Sequence, residues 1–466
     1  MAKGSKARGV ALGFIFFPLV YVTLLRCDVS PPLLPRLSSS WSLGSKETGM
    51  EVTEFSGFLL RRLVRGSARR ELSRNGVTCI SDTESDTCIT SDSVRLTTGK
   101  SPTVLYLTGG QQLSRQNRNT LLQVRPYARK TDTFAMARTS PVTIIPNAQH
   151  PPPCDINHSV PAVVFSNGGF AGNFFHDVND VIIPLFLTSS HLRSRAQLVI
   201  TDYEEYWVKK YRRILARLSS FDIIVASSTS SSAADEKVHC FPAAVVGLRY
   251  HGNLLCNSTS EPGGVSTADF RNFLHAAFSL RNGPMGPTNS PTMVLLSRRK
   301  SRKILNEENV AELAREVGFR VIVATQEVVR NLQNFTELVN GCNVLMGVHG
   351  AGLTNLMFLR PQAVVLQVVP WGLDWASTAY YARPAKRLGL QYVEYHIEVE
   401  ESSLCNEYPK DHPVLTDPWG INLKGYNVSK PVYTDGQNVR INLARFKDTL
   451  LKARELVRNP SKVSVE

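Results

Sequence analysis

Eight short apolar runs recur along the chain, "TVLYL", "PAVVFS", "AQLVITD", "FDIIVAS", "TMVLLS", "FRVIVAT", "NVLMGV" and "AVVLQVV", with amphipathic segments between several of them. A strand that is apolar on both faces needs cover on both faces, and a parallel sheet between two layers of helices supplies it. "YEEYWVKKYRRILARL" and "NEENVAELAREVGF" read as two such helices, the second with Asn306 as its N-cap and Gly318 as its stop. The alternation begins near residue 100 and breaks once, at "RNGPMGPTNSP", 281–291, whose Gly, Pro and Asn mark a linker. At 466 residues and 42% hydrophobic, the chain exceeds what a single core usually serves. The expected architecture is α/β: two facing doubly wound Rossmann-type domains, 96–284 and 285–466, with ligands gathered at the carboxyl ends of the strands.

Upstream the texture differs. "VALGFIFFPLVYVTLL", residues 10–25, carries no charge and stands at the short end of the roughly 17 to 25 residues that span a membrane. Lys3, Lys6 and Arg8 would hold 1–9 in the cytosol, making 10–25 a transmembrane signal anchor and the rest luminal. The alternative, a removed signal peptide, lacks a small-x-small cleavage site in "LLRCDVS". Residues 26–95 read as a stem, rich in Pro and Ser and then in Arg over 61–74. A luminal address suits the sequons at Asn157, Asn257, Asn334 and Asn427. Among eight cysteines there is no CxxC pair; Cys79 and Cys88 are the first disulfide candidates, and the pairing of the others stays open. The net charge of +14 attracts anions in general. Without zinc-spaced cysteines, a recognition helix or an aromatic-and-basic strand pair, nucleic acid is not an expected partner.

Three segments carry chemistry. "NVLMGV" runs directly into "HGAGLTNLMF". A helix start presents free N–H groups to an anion, Gly350 and Gly352 keep the backbone open to it, and His349 adds a donor; a tight packing turn is the plain alternative. After "VLLS" come Arg298, Arg299, Arg302 and Lys303, cations at a strand's carboxyl end, where Arg can fork onto phosphate oxygens. Together these suggest a diphosphate and hence a nucleotide donor. The third segment, "SNGGFAGNFFHDVNDVIIPLF", places glycines after a strand, followed by His176, Asp177 and Asp180. On a helix His176 and Asp180 share a face, with Asp177 turned roughly 100° away. A carboxylate there can act as general base toward an acceptor hydroxyl, oriented by the imidazole; an acidic helix start beside a satisfied histidine is the plain alternative. No Asp-x-Asp occurs, so no metal-bridged diphosphate is read and the leaving-group charge falls to Arg, His and the helix dipole. Trp371, Trp375, Tyr380 and Tyr381 suit either sugar stacking or packing.

In this order and spacing, "GGFAGNFFHDVNDVIIPLF", "SRRKSRKILNE" and "MGVHGAGLTNLMFL" resemble glycosyltransferase family 61 of plants. The likeness continues through "SDTCITSDSVRL", "FPAAVVGLRYHGNL", "LQVVPWG" and "EESSL", covering about residues 75–455. The resemblance implies a Golgi type II membrane enzyme of GT-B fold, inverting, using a UDP-sugar and no metal or other cofactor. Grass members, which the chain resembles most, add arabinofuranosyl or xylosyl units to xylan. A UDP-pentose, a xylan or xylo-oligosaccharide acceptor and the Golgi membrane are therefore the expected partners. Arabinofuranosyl transfer in 1,3 linkage is the first reading; 1,2-xylosyl transfer and a silent scaffold in a Golgi polysaccharide complex are the alternatives, and a homo-oligomer is left open. More distant relatives with N-acetylglucosamine donors share a His followed four residues later by Asp. That selects His176 and Asp180 over Asp177, with Asp180 taking the acceptor proton or positioning the base. By the same resemblance Arg298, Arg302, His349 and the turn Gly350, Ala351, Gly352 grip the UDP diphosphate, while Gly169, Gly172 and Asn173 shape an acceptor-side loop.

Overall fold

A computed structural model describes residues 57–99, 102–108, 122–146, 148–228, 236–256 and 264–460. The expected tail and anchor, 1–25, lie outside these residues, as does Asn257; among the described residues no helix is long and apolar enough to cross a membrane. In chain order the strands are β1 (Val77–Ser81), β2 (Asp86–Thr90), β3 (Val94–Thr97), β4 (Thr103–Leu107), β5 (Leu122–Val124), β6 (Val142–Ile145), β7 (Ile156–Asn157), β8 (Ala162–Ser166) and β9 (Gln197–Thr201). They continue with β10 (Ile224–Val225), β11 (Val238–Phe241), β12 (Ala244–Val246), β13 (Thr292–Leu296), β14 (Arg320–Ala324), β15 (Val344–Val348), β16 (Val364–Val369) and β17 (Gln391–His396).

The last five make one wholly parallel sheet in the order β14-β13-β15-β16-β17. Every residue of β13, β15 and β16 is buried, which is why their sequences show no polar alternation. In this order the chain leaves β13 toward one edge and leaves β15 toward the other, so a crevice opens between the carboxyl ends of these two strands. The basic loop follows β13 and the glycine turn follows β15. Helix Glu307–Glu316 ends near Gly318, at φ +102°. Asn306 does not cap it: its side chain instead pairs with the backbone of Ile441, at 2.8 and 3.0 Å.

A second parallel set, β12-β8-β9-β10, has its own crevice between β8 and β12. Helix Glu205–Leu218 turns Trp207, Tyr211, Ile214, Leu215 and Leu218 inward, the helical period its sequence announced. β2 and then β1 extend this sheet antiparallel beyond β12, so the expected stem of 26–95 is too long. Helix Gly66–Asn75 and strands β1 to β3 belong to the folded body. "VTCIS" and "DTCIT" conceal this because β2 is buried by its neighbours rather than by its own hydrophobicity. Cys79 and Cys88 face each other in the β1–β2 register and are disulfide-bonded; Cys154 and Cys240 form a second bridge.

Two further expectations need correcting. Segment 96–284 is not one Rossmann-type layer, because β4 ("TVLYL") lies in a mixed sheet, β5-β6-β4-β3-β11-β7. Its residues alternate between buried and half-buried, the mark of a strand covered on one side. Nor are the halves separate: one apolar cluster joins Leu185, Leu198 and Phe270 to Val294, Leu345, Leu356 and Tyr381. The 281–291 linker is clamped to the second half, Arg281 N–H donating to Asn340 Oδ1 at 3.0 Å and the Arg360 guanidinium to the Gly283 and Pro284 carbonyls at 2.6 and 2.7 Å. Asn157, Asn334 and Asn427 are all exposed.

Candidate active site

After β8 the chain makes a glycine loop, a short helix Phe174–His176 and a π-helical turn Asp177–Ile182. Such turns often accompany functional sites, because the widened turn re-aims its side chains. Asn173 starts the helix, its Oδ1 accepting from Phe175 N–H at 3.2 Å. Gly172, at φ +90°, donates its N–H to Asp177 Oδ1 at 3.1 Å. A side chain at Gly169 would collide with the ring of Tyr127, and Tyr127 must pass there because its hydroxyl donates to Asp180 Oδ2 at 3.0 Å. These three residues shape the loop that leads into His176.

Asp180 is fully buried and surrounded. Besides Tyr127, its Oδ2 meets His176 Nδ1 at 2.8 Å; its Oδ1 accepts from Asn179 Nδ2 at 2.7 Å and faces Arg129 Nη1 at 3.5 Å. A carboxylate so occupied has little capacity left for a substrate. What it does is fix the imidazole: Asp180 holds the ring at Nδ1, which leaves Nε2 as the ring nitrogen that does not face Asp180, in a side chain 15% exposed. Burial and the neighbouring Asp180 raise the Tyr127 hydroxyl well above its ordinary range, so it stays a donor.

Asp177 has a different task. Its carboxylate accepts from Tyr211 Oη at 2.7 Å and Trp207 Nε1 at 3.0 Å, with Lys210 Nζ at 3.5 Å. It ties the glycine loop to helix Glu205–Leu218; burial raises its pKa and Lys210 opposes that. Sequence reasoning missed Tyr127, Arg129 and Asn179. "VRPYARK" carries no motif, and its two site residues meet Asp180 only through the tertiary fold.

The second cluster lies at the β13/β15 crevice. Arg302, held at φ +51°, donates from Nη1 to the His349 carbonyl at 2.9 Å, and its buried Nε has no hydrogen-bond partner. Arg298 Nε donates to the Ser301 carbonyl at 2.8 Å. Neither guanidinium has a carboxylate within ion-pair distance among the described residues; Arg298 instead feels burial and the charge of Arg302, which push it down to about 10. Arg299 is exposed and Lys303 half-buried. A Cβ on Gly350, at φ +147°, would stand 2.7 Å from Arg298 Nη1 and 3.0 Å from Arg302 Nη1. One on Gly352 would meet only Leu296 Cδ1 at 3.5 Å, so the bare backbone matters at Gly350. Ala351 opens the 3-10 helix Ala351–Phe358, whose start has no side-chain cap.

His349 is buried beside both arginines, and burial together with their charge pushes it down to about 3. The neutral ring accepts from Gln367 Nε2 at Nδ1, 2.9 Å, leaving Nε2–H as a donor. Behind Gln367, the Tyr392 hydroxyl lies 2.9 Å from its Oε1 and 2.7 Å from Glu394 Oε1. Gln367, Tyr392 and Glu394 escaped sequence reasoning as well, being ordinary strand residues until the sheet sets them side by side.

Aromatic rings connect the two clusters. Phe175, next to His176, packs edge-on 5.1 Å from Tyr380, while Tyr381 lies 5.3 Å from His349 and donates to the Gly350 carbonyl at 2.8 Å. Trp375 reaches Tyr380 at 5.9 Å and is 40% exposed; Trp371 donates from Nε1 to the Val414 carbonyl and is packing. Phe175, Tyr380 and Tyr381 thus link the helix that carries His176 to His349 and the Gly350 turn.

Comparison with known proteins points the same way. The glycosyltransferase 61 family model matches residues 172–366. The alpha-1,3-arabinosyltransferase XAT3 of Oryza sativa subsp. japonica is 38% identical over 342 residues, 72% of this chain and 58% of that protein. The beta-1,2-xylosyltransferase XAX1 of the same organism is 42% identical over 341 residues, 71% and 58% of the two chains. The xylan glycosyltransferase MUCI21 of Arabidopsis thaliana is 34% identical over 393 residues, 79% and 77%. The chain therefore spans somewhat more than half the length of these two rice relatives and about three quarters of the third.

Proposed function

Because this chain belongs to the glycosyltransferase 61 family, we propose that it moves a pentose from a UDP-sugar onto xylan, with inversion, in the Golgi lumen. The observation that carries this reading is the pair Arg298 and Arg302: a half-buried and a buried cation, with no carboxylate within ion-pair distance of either among the described residues, converging on the bare backbone of Gly350. Burying like charges together is costly unless an anion joins them, and a diphosphate is such an anion. His349 Nε2–H and the N–H groups at the start of Ala351–Phe358 add neutral donors.

The acceptor hydroxyl gives its proton to His176 Nε2, with Asp180 holding the ring and stabilising the imidazolium. The hydroxyl oxygen forms a bond to the anomeric carbon of the pentose on the face opposite the nucleotide. The bond from that carbon to the phosphate oxygen breaks, and UDP leaves with the electron pair, its charge met by Arg298 and Arg302. The arginines supply the positive charge the leaving group needs, so this reading requires no metal. The parallel sheet of the second half and the parallel set β12-β8-β9-β10 of the first, with Phe175 packed on Tyr380, support a GT-B arrangement.

For the sugar, arabinofuranosyl transfer in 1,3 linkage is the first reading. Xylosyl transfer in 1,2 linkage is the second, favoured by the identity to XAX1. Val10–Leu25 would anchor the protein as a single-pass type II Golgi protein, and protease protection with glycosidase sensitivity in sealed vesicles tests that placement. The activity test uses purified protein, a xylo-oligosaccharide and UDP-arabinofuranose or UDP-xylose in EDTA, with product mass and linkage as the readout. A pentose-extended product from one donor is expected and names the sugar. No product from either donor, from protein shown to bind UDP, would overturn the reading in favour of a non-catalytic scaffold.

A further inference from the structure

Beyond His176 the acceptor side carries aromatic rings that no step above uses. The His176 imidazole lies on Phe170, centroids 4.1 Å apart and 19° from parallel; Phe170 in turn stacks on Phe134 at 5.1 Å. Phe134 stands on the short helix Thr133–Ala137, capped by Asp132, and half of its surface faces solvent. Farther along the glycine loop, the hydroxyl of Tyr206 lies 3.1 Å from where a Cβ of Gly172 would be, and Tyr206 is 48% exposed. Both rings therefore lie near the loop that leads to the proposed base, Phe134 through Phe170 and Tyr206 through Gly172. The Arg138 guanidinium covers Phe134 at 4.1 Å, which places a hydrogen-bond donor beside that ring.

Phe134, stacked on Phe170 and covered by the Arg138 guanidinium, and Tyr206 are each half-exposed near the loop that precedes His176, where a core gains little from them. We propose that Phe134 and Tyr206 bind the acceptor: a pyranose polysaccharide chain whose apolar ring faces rest on them while one of its hydroxyls reaches His176 Nε2. Arg138 turns from Phe134 to the chain's hydroxyl groups as it binds. This rests on the reading of His176 as the acceptor base. It adds an acceptor that must extend past its reacting residue to be held well.

The test compares wild type with Phe134→Leu and Tyr206→Leu, using a xylobiose and a xylohexaose acceptor and whichever donor the wild type accepts. Leucine keeps the apolar bulk and removes the flat face, so folding survives and stacking does not; melting curves check the former. The hexaose KM should rise about tenfold in each variant, with donor KM and kcat within about twofold and the biose affected less. Phe134→Trp should restore hexaose KM. Unchanged hexaose KM in folded, active leucine variants would overturn the proposal while leaving the proposed function standing. A wild type that is dimeric in light scattering, with leucine variants that are monomeric, would also overturn it, by assigning the rings to a contact between copies. A wild type that neither binds nor extends any xylo-oligosaccharide would remove the proposed function itself, and this inference with it.

Discussion

Asp177 and Asp180 are both buried carboxylates in one π-helical turn, yet they serve opposite ends. Asp180 points its lone pairs at His176, Tyr127, Asn179 and Arg129, whereas Asp177 points its own at Tyr211, Trp207 and Gly172. Asp180→Asn should therefore lower kcat by roughly 10²- to 10⁴-fold with UDP affinity unchanged, by analogy with other oriented histidine bases. Asp177→Asn should instead cost about 1 to 3 kcal/mol of stability while the folded fraction keeps its kcat; kinetics and melting of both variants check the pair. His349 makes a pH prediction. Its pKa falls from 6.5 to about 3 on folding, so below pH 6.5 the unfolded chain binds a proton that the folded one refuses. The stability from its neutral burial is complete above that pH and is lost as the pH falls toward 3. At pH 4.5 the loss relative to pH 7 is about 2 to 3 kcal/mol. Urea unfolding without UDP should show His349→Gln losing that much less than wild type over the same interval. His349 and Asp180 stand out in the sequence as residues worth asking about, but their roles depend on partners that only folding assembles.

Among elements, the strand-to-helix turns were the most legible, because a buried apolar strand ending in glycine is a local pattern. The turn after β15 shows the limit of that legibility: two glycines flank Ala351, and only the packing of Arg298 and Arg302 distinguishes them. Gly350→Ala puts a methyl against two guanidinium groups and strains φ +147°, so UDP affinity should fall at least about tenfold. Gly352→Ala has ordinary contacts and should leave UDP affinity within about twofold; calorimetric titration of the two proteins decides it. The segment from Tyr127 to Arg138 was illegible as part of a site. It has neither glycine punctuation nor apolar period, and it serves the site through Tyr127 and Arg129, whose partner Asp180 lies far along the chain.

At the scale of the whole molecule, the body is not two beads on a linker. Leu60, Val64, Leu72 and Ile89, from the segment that reads as stem, sit in the same apolar cluster as Phe165 and Leu345. Each such side chain is worth about 1.5 to 3 kcal/mol when fully buried, a total comparable with the roughly 5 to 15 kcal/mol that holds a domain together. A chain begun at residue 96 should therefore lose cooperative unfolding and expose apolar surface, while one begun at residue 50 should melt in a single transition; dye binding and calorimetry on both check it. The sequence by itself determined the parallel sheet of the second half, the places where its strands break into anion-friendly turns, and the His176–Asp180 spacing. Each of these is written in residues within a few positions of one another. Tertiary structure alone decided that Asp180 is enclosed by His176, Tyr127, Asn179 and Arg129, that a side chain at Gly350 rather than Gly352 would meet two guanidinium groups, and that β1 and β2 belong to the folded body. Those outcomes depend on burial and on hydrogen bonds supplied from distant parts of the chain, and a local pattern carries no record of what will cover it.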